Sequence, residues 1–314
     1  MRKKALAIFL ALFFIAVSPL FAYWIWTPES RKWTNPKYAT RENPAAQFQF
    51  ALELFDAEHI EKANAEFEKL IRRFPRSFEA SEAQYYIGRC LEALHMPYKA
   101  YKAYQIVIDK YPFTERTSDI VERQFKIAEY LLEGGKRSLW DTIAAKDYPV
   151  VEILRAVINN EPYGKYAAAA YYKLGMFYKG LSFFSEAKEE FNKVVTEYPE
   201  SEWVKPARYQ IAFSDALMSG DADYEQEKAQ VAQEGFEEFI KDFPDAELSE
   251  KAREELATLR GKEAESNFKI AQFYERRRAY ESAKIYYQHV VDNFPETEWA
   301  VKSLEKVQIM ESKL

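Results

Sequence analysis

The chain has 314 residues, enough for two compact domains or one extended array. Only 9 are glycine, against an average share of roughly 7%, which argues against glycine-rich phosphate loops and tight hairpins and favours long helices. A net charge of −6 excludes a broad basic face for nucleic acid, and a hydrophobic share of 48% excludes wholesale disorder.

Arg2, Lys3 and Lys4 precede an apolar run from Ala5 to Val17, the form of an export signal. Two readings fit. Cleavage after Ala22 makes residues 1–22 a signal peptide. Continuing through Tyr23, Trp24, Ile25 and Trp26 gives 22 residues from Ala5, long enough to cross a bilayer as an uncleaved anchor. Both place the remainder outside the cytoplasm. Residues 23–44 carry Pro28, Pro36 and Pro44 among Trp, Thr, Asn and Arg and read as an extended tether docked by Trp26 and Trp33. Cys90 is the only cysteine, so an intrachain disulfide, a cysteine-cluster zinc site and a lipid-bearing cysteine after the apolar run are all excluded.

An aromatic–proline pair then recurs as Phe74-Pro75, Tyr111-Pro112, Tyr198-Pro199, Phe243-Pro244 and Phe294-Pro295, with Glu161-Pro162 as a degenerate copy. Twelve residues before the prolines stand Ala63, Ala100, Ala187, Ala232 and Ala283, with Val150 the exception. Eight residues before them stand Phe67, Tyr104, Leu154, Phe191, Phe236 and Tyr287. Twenty-four before, a small residue appears as Ala51, Gly88, Gly175 and Ala271, followed three places later by Leu54, Leu91, Tyr178 and Tyr274. This is the tetratricopeptide pattern of two antiparallel helices, A and B, per ~34 residues. It predicts an all-α fold: a right-handed superhelical solenoid of about six helix pairs. Proline closes each helix B because it lacks an N–H and clashes with the preceding turn.

Copies three and five depart from the spacing. Their small residues are Ala128 and Ala212, which implies insertions of ten and eight residues within Gly134–Asp147 and Ser219–Gln230, between helices A and B. At the joints, Ser77, Thr114, Ser201 and Thr297 are placed to cap the next helix, with Glu79, Glu115, Glu202 and Glu298 in its first turn. The 27 residues from Pro244 to Ala271 predict a sixth helix A that starts near Ala246 and runs as one rod to Arg278, with Gly261 as a place to bend. The expected division is a tether at 23–44, an N-terminal half at 45–162 and a C-terminal half at 163–314.

No catalytic, cofactor-binding or metal-binding constellation is found. There is no glycine-rich phosphate loop, no Gly-x-Ser-x-Gly and no histidine pair at helical spacing. His59 and His289 read as solvated or packing residues, and Cys90, beside Gly88, as a small buried thiol. Function then falls to surfaces. In this fold helices A build the concave wall, at offsets of −6, −3, +1 and +4 from the small residue. The candidates for a peptide groove are Phe48, Leu52 and Phe55 in copy one, Glu82, Tyr85 and Arg89 in copy two, and Tyr172 and Met176 in copy four. Phe268, Gln272 and Glu275 in copy six are candidates for docking. Aromatic walls suit an extended peptide with alternating aromatic side chains, and Arg89 suits a carboxylate or carbonyl. The competing reading is that these rings pack on the adjacent helix.

The last repeat carries Phe273-Tyr274-Glu275-Arg276, Tyr280, Ala283 and Phe294-Pro295, and it resembles the BamD family, the tetratricopeptide subunit of the bacterial β-barrel assembly machine. Phe236–Pro244 and the long linking helix share the likeness. The architecture resembles the family over roughly residues 45–310, and the family-level detail lies in the last two repeats. The resemblance implies a periplasmic scaffold at the outer membrane, without cofactors. It implies two partners: a BamA-like barrel protein bound through C-terminal repeats and unfolded outer-membrane proteins received by N-terminal ones. Members of the family carry a lipid-modified cysteine at the mature N-terminus, where this chain has Tyr23. A second resemblance, to CpoB-like envelope adaptors that coordinate wall synthesis with constriction, is opposed by the lack of heptads in residues 23–44.

Overall fold

A computed structural model describes residues 25–27, 32–34, 40–134, 148–220 and 226–314. The expectations for residues 1–22 and for most of the first insertion lie outside them. No helix among the described residues is long and apolar enough to cross a membrane. The tether contains a short antiparallel ribbon that the all-α expectation lacked: β1 (Ile25–Thr27) pairs with β2 (Lys32–Thr34), with Trp26 directly opposite Trp33.

From there the described chain is helical, and it falls into two compact units, one up to Arg116 and one from Thr117 to Leu314. The first holds copies one and two: α1 (Pro44–Asp56), α2 (Ile60–Arg73), α3 (Phe78–Ala93) and α4 (Pro97–Lys110). The second holds copies three to six and a closing helix: α5 (Thr117–Gly134), α6 (Pro149–Asn160), α7 (Ala167–Gly180), α8 (Phe184–Glu197), α9 (Val204–Met218), α10 (Gln226–Asp242), α11 (Glu247–Arg276), α12 (Tyr280–Asn293) and α13 (Glu298–Glu311). Within each unit consecutive helices pack in sequence order, and neighbouring A helices also touch, α1 on α3 and α9 on α11. The fold is an all-α tetratricopeptide solenoid with the ribbon appended.

The repeat offsets carry the packing. Ala63, Ala100, Val150, Ala187, Ala232 and Ala283 are fully buried, as are Phe67, Tyr104, Leu154, Phe191, Phe236 and Tyr287. Helices A and B approach so closely in copies two and four that a Cβ on Gly88 would lie 2.4 Å from the Tyr104 ring, and one on Gly175 2.5 Å from Phe191. Ala128 and Ala212, the small residues of the irregular copies, are buried too, and Ala212 meets Gly235 of α10. Phe74, Tyr111, Glu161, Tyr198 and Phe294 form the C-caps that precede the prolines. The rod expected after Pro244 is α11, 30 residues capped by Ala246 and helical through Gly261.

The joints differ from expectation. Only Thr297 caps with its hydroxyl, which accepts the Ala300 N–H at 3.3 Å. Ser77 holds the N-cap position of α3 without a side-chain bond to it. Thr114 and Ser201 sit earlier, and their hydroxyls accept the N–H two places on, at 3.2 and 3.3 Å, so they shape the turn ahead of the helix. Likewise Glu79 and Glu298 lie in first turns, whereas Glu115 and Glu202 precede theirs.

The A–B turns share a geometry that residue type conceals. Seven places after the small residue, Glu58, His95, Ser182 and Arg278 adopt φ of 60°, 55°, 63° and 60°. The next N–H reaches back five places, to the carbonyls of Leu54, Leu91, Tyr178 and Tyr274, at 2.9–3.1 Å. This is the left-handed closure usually supplied by glycine.

Candidate functional site

In the first unit, α1 presents Phe48, Leu52 and Phe55 along one face, at i, i+4 and i+7. Phe48 and Phe55 meet Tyr86 of α3 edge-on at centroid distances of 5.7 and 5.4 Å, while Phe67 stacks on the same ring at 5.3 Å. Tyr85 is buried between Tyr86 and Tyr104. Arg89 crosses this cluster: its guanidinium lies 5.6 Å from the Phe55 ring, donates to the Tyr85 hydroxyl at 3.4 Å and lies 3.9 Å from Glu92. Glu82 accepts two bonds from Arg116, at 3.1 and 2.8 Å, and that guanidinium lies over Tyr85 at 4.8 Å. The bonds to Glu82 raise the Arg116 pKa against the cost of burial.

Five of the candidates (Phe48, Phe55, Glu82, Tyr85 and Arg89) therefore form one connected aromatic and ionic patch, and Leu52, half-buried, borders it. Arg116 completes the patch. It lies outside any helix, at no repeat offset, so nothing in the pattern pointed to it. Cys90 lies in the core beneath, where burial pushes its thiol up to about 12 and keeps it protonated.

Tyr172 and Met176 belong to the second unit, on α7. Tyr172 packs between Phe191 and Trp203 at 5.5 and 4.8 Å, and burial raises its phenol pKa. Met176, one turn on, is exposed. The following turn brings Lys179, which donates to Gln210 at 2.6 Å and lies 5.0 Å from the Phe213 ring. Burial lowers its ammonium pKa.

The docking candidates share α11, two A helices further along the second unit. Phe268 is buried between Tyr287 and Trp299 at 5.3 and 5.2 Å. Tyr287 reaches on to donate to Glu275 at 2.8 Å, and Lys306 of α13 donates to the same carboxylate at 3.0 Å. Burial works against that charge, but the Tyr287 and Lys306 bonds outweigh it and hold Glu275 below the usual carboxylate range. Gln272 is half-buried between them on the helix.

A buried amide four places before the small residue also escaped the sequence reading. Gln47, Gln84, Gln124 and Asn267 fill it in four copies. Gln47 and Gln84 each donate to a helix-B carbonyl nineteen residues on, at 3.1 and 3.0 Å.

The rings pack on one another across neighbouring helices, as the competing reading expects, and what stays half-open is the edge of Leu52 and Phe55 beside the Arg89 guanidinium.

Comparison with known proteins follows this layout. A family described as "Outer membrane lipoprotein" matches residues 213–314, the end of α9 through α13. A "Tetratricopeptide repeat" family matches residues 82–114 and 169–201, the two copies with glycine at the close crossing. "Outer membrane protein assembly factor BamD" of Vibrio cholerae serotype O1 is 26% identical over 169 residues, covering 49% of this chain and 68% of that protein. Among solved structures, a TPR repeats protein from Bacteroides fragilis covers 87% of this chain and 99% of its own, at 12% identity and a TM-score of 0.41. YrrB, "a TPR protein with an unusual peptide-binding site", covers 68% and 93%, at 18% identity and 0.36. The chain is an all-α tetratricopeptide-repeat protein that resembles BamD, and its C-terminal third carries the match to the outer membrane lipoprotein family.

Proposed function

We propose that the chain is a non-catalytic scaffold for assembling outer-membrane β-barrel proteins, working in the periplasm at the outer membrane. The observation that carries this reading is the family match over residues 213–314, which coincides with the rod α11 and the helices packed on it. The N-terminal half, 45–162, receives unfolded outer-membrane protein segments along the wall formed by Leu52, Phe55 and Arg89. Met176 and Tyr172 offer a second foothold. The C-terminal half, 163–314, docks on a BamA-like barrel protein through the α11 surface around Gln272 and Glu275. Such a division needs no cofactor: binding at two ends of a relay is a matter of contact area and orientation.

Depleting the chain from its own cell tests the proposal. Folded, heat-modifiable outer-membrane barrels should fall while their unfolded precursors accumulate. Unchanged barrel levels after depletion would reject it.

A further inference from the structure

The ribbon of β1 and β2 places Trp26 directly across from Trp33. Opposed residues of an antiparallel pair project to one face, so the two indoles form a single apolar surface. They are 47% and 65% exposed. A two-stranded ribbon is marginal in water on its own, and covering such a face would stabilise it. The surrounding sequence says what suits that face. Residues 23–44 hold three of the chain's six tryptophans, together with Tyr23 and Tyr38. The same stretch carries four basic residues (Arg31, Lys32, Lys37 and Arg41) against Glu29 and Glu42, a charge of +2, whereas residues 45–314 carry 37 basic and 48 acidic residues, a charge of −11.

Tryptophan and tyrosine beside lysine and arginine match the interface of a phospholipid bilayer, where indole rings sit at headgroup level and basic side chains meet anionic lipid. A strongly acidic protein surface is, by contrast, repelled by anionic lipid, so the contact belongs to the ribbon end of the chain. The chain's one cysteine, Cys90, is buried in α3 and is not placed to carry a lipid anchor. We propose that the Trp26–Trp33 face of the ribbon inserts into the interfacial layer of an anionic phospholipid bilayer and holds the repeat stack at the membrane.

The test uses the chain purified from the envelope of producing cells, its N-terminus fixed by mass spectrometry. It is floated with vesicles of phosphatidylethanolamine containing phosphatidylglycerol. The wild type should float, with a blue shift in tryptophan emission. The double variant Trp26→Thr/Trp33→Thr, which keeps strand-favouring residues, should float about tenfold less at unchanged helix content and melting temperature. Trp26→Tyr/Trp33→Tyr should restore most of the binding, because tyrosine also favours the interface. A threonine variant that floats like the wild type would overturn the proposal, since an uncleaved apolar segment or another surface would then be responsible. A wild type that stays with the soluble fraction would overturn it as well. Flotation indifferent to phosphatidylglycerol would overturn the preference for anionic lipid that the proposal states.

Discussion

A Cβ on Gly88 would stand 2.4 Å from a ring that has nowhere to go, because Tyr104 is fully buried. Gly88→Ala should therefore cost about 1–3 kcal/mol in urea unfolding despite the gain in helix propensity, as overpacked cores generally do. The same change made at an exposed helical glycine stabilises. Glu58 makes the opposite case. It is exposed and held at φ of 60°, where a side chain is strained and glycine is not. Glu58→Gly should gain about 0.5–1 kcal/mol, the relief of strain exceeding the added freedom of the unfolded chain. Glu275 gives a pH signature. Its folded pKa lies below the ordinary carboxylate value because the bonds from Tyr287 and Lys306 outweigh burial. Its stabilisation is therefore complete above the unfolded pKa, roughly 4.3, and is lost as pH falls through the folded one. The stability gap between wild type and Glu275→Gln, followed by thermal melts from pH 7 to pH 3, should be widest at neutrality and narrow below that point.

Helices, their order and their register were legible because tetratricopeptide packing forces residue size at fixed offsets. Gly88 and Gly175 sit where helices A and B cross closest, and Phe67, Phe191 and Tyr287 fill the space between. The left-handed turns were not legible, since Glu58, His95, Ser182 and Arg278 share a backbone conformation and no chemistry. The hydroxyl caps were not legible because Thr114 and Ser201 stand at the same distance from proline as Thr297, yet their helices begin two residues later. Ring partners such as Tyr86 and Trp203 depend on which helix lies opposite, which one sequence does not specify. At this scale the joints between copies can be tested. Arg155 of α6 grips Glu190 of α8 with two bonds at 2.8 and 2.6 Å, and Glu190 is buried. Arg155→Met leaves that carboxylate with Lys193 as its one ion-pair partner among the described residues, and should cost about 2 kcal/mol. A chain ending at Thr297 removes α13, uncovers the Tyr287 and Val290 face of α12 and should aggregate on size-exclusion chromatography, as a repeat array without its terminal cap does.

At the scale of the whole molecule, a repeat stack carries aromatic rings and the Arg89 guanidinium on its first two A helices, and a late rod lies within the match to the outer membrane lipoprotein family. These features suit the proposed role of holding other proteins. The claim is that the two ends hold different things. Site-specific photocrosslinking in living cells asks this directly, with the reactive residue placed at Leu52 in one strain and at Gln272 in another, and the captured proteins identified by mass spectrometry. The account predicts unfolded outer-membrane barrel precursors at Leu52 and a BamA-like barrel protein at Gln272. Capture of cell-wall synthases at both positions, with no barrel protein at either, would contradict it.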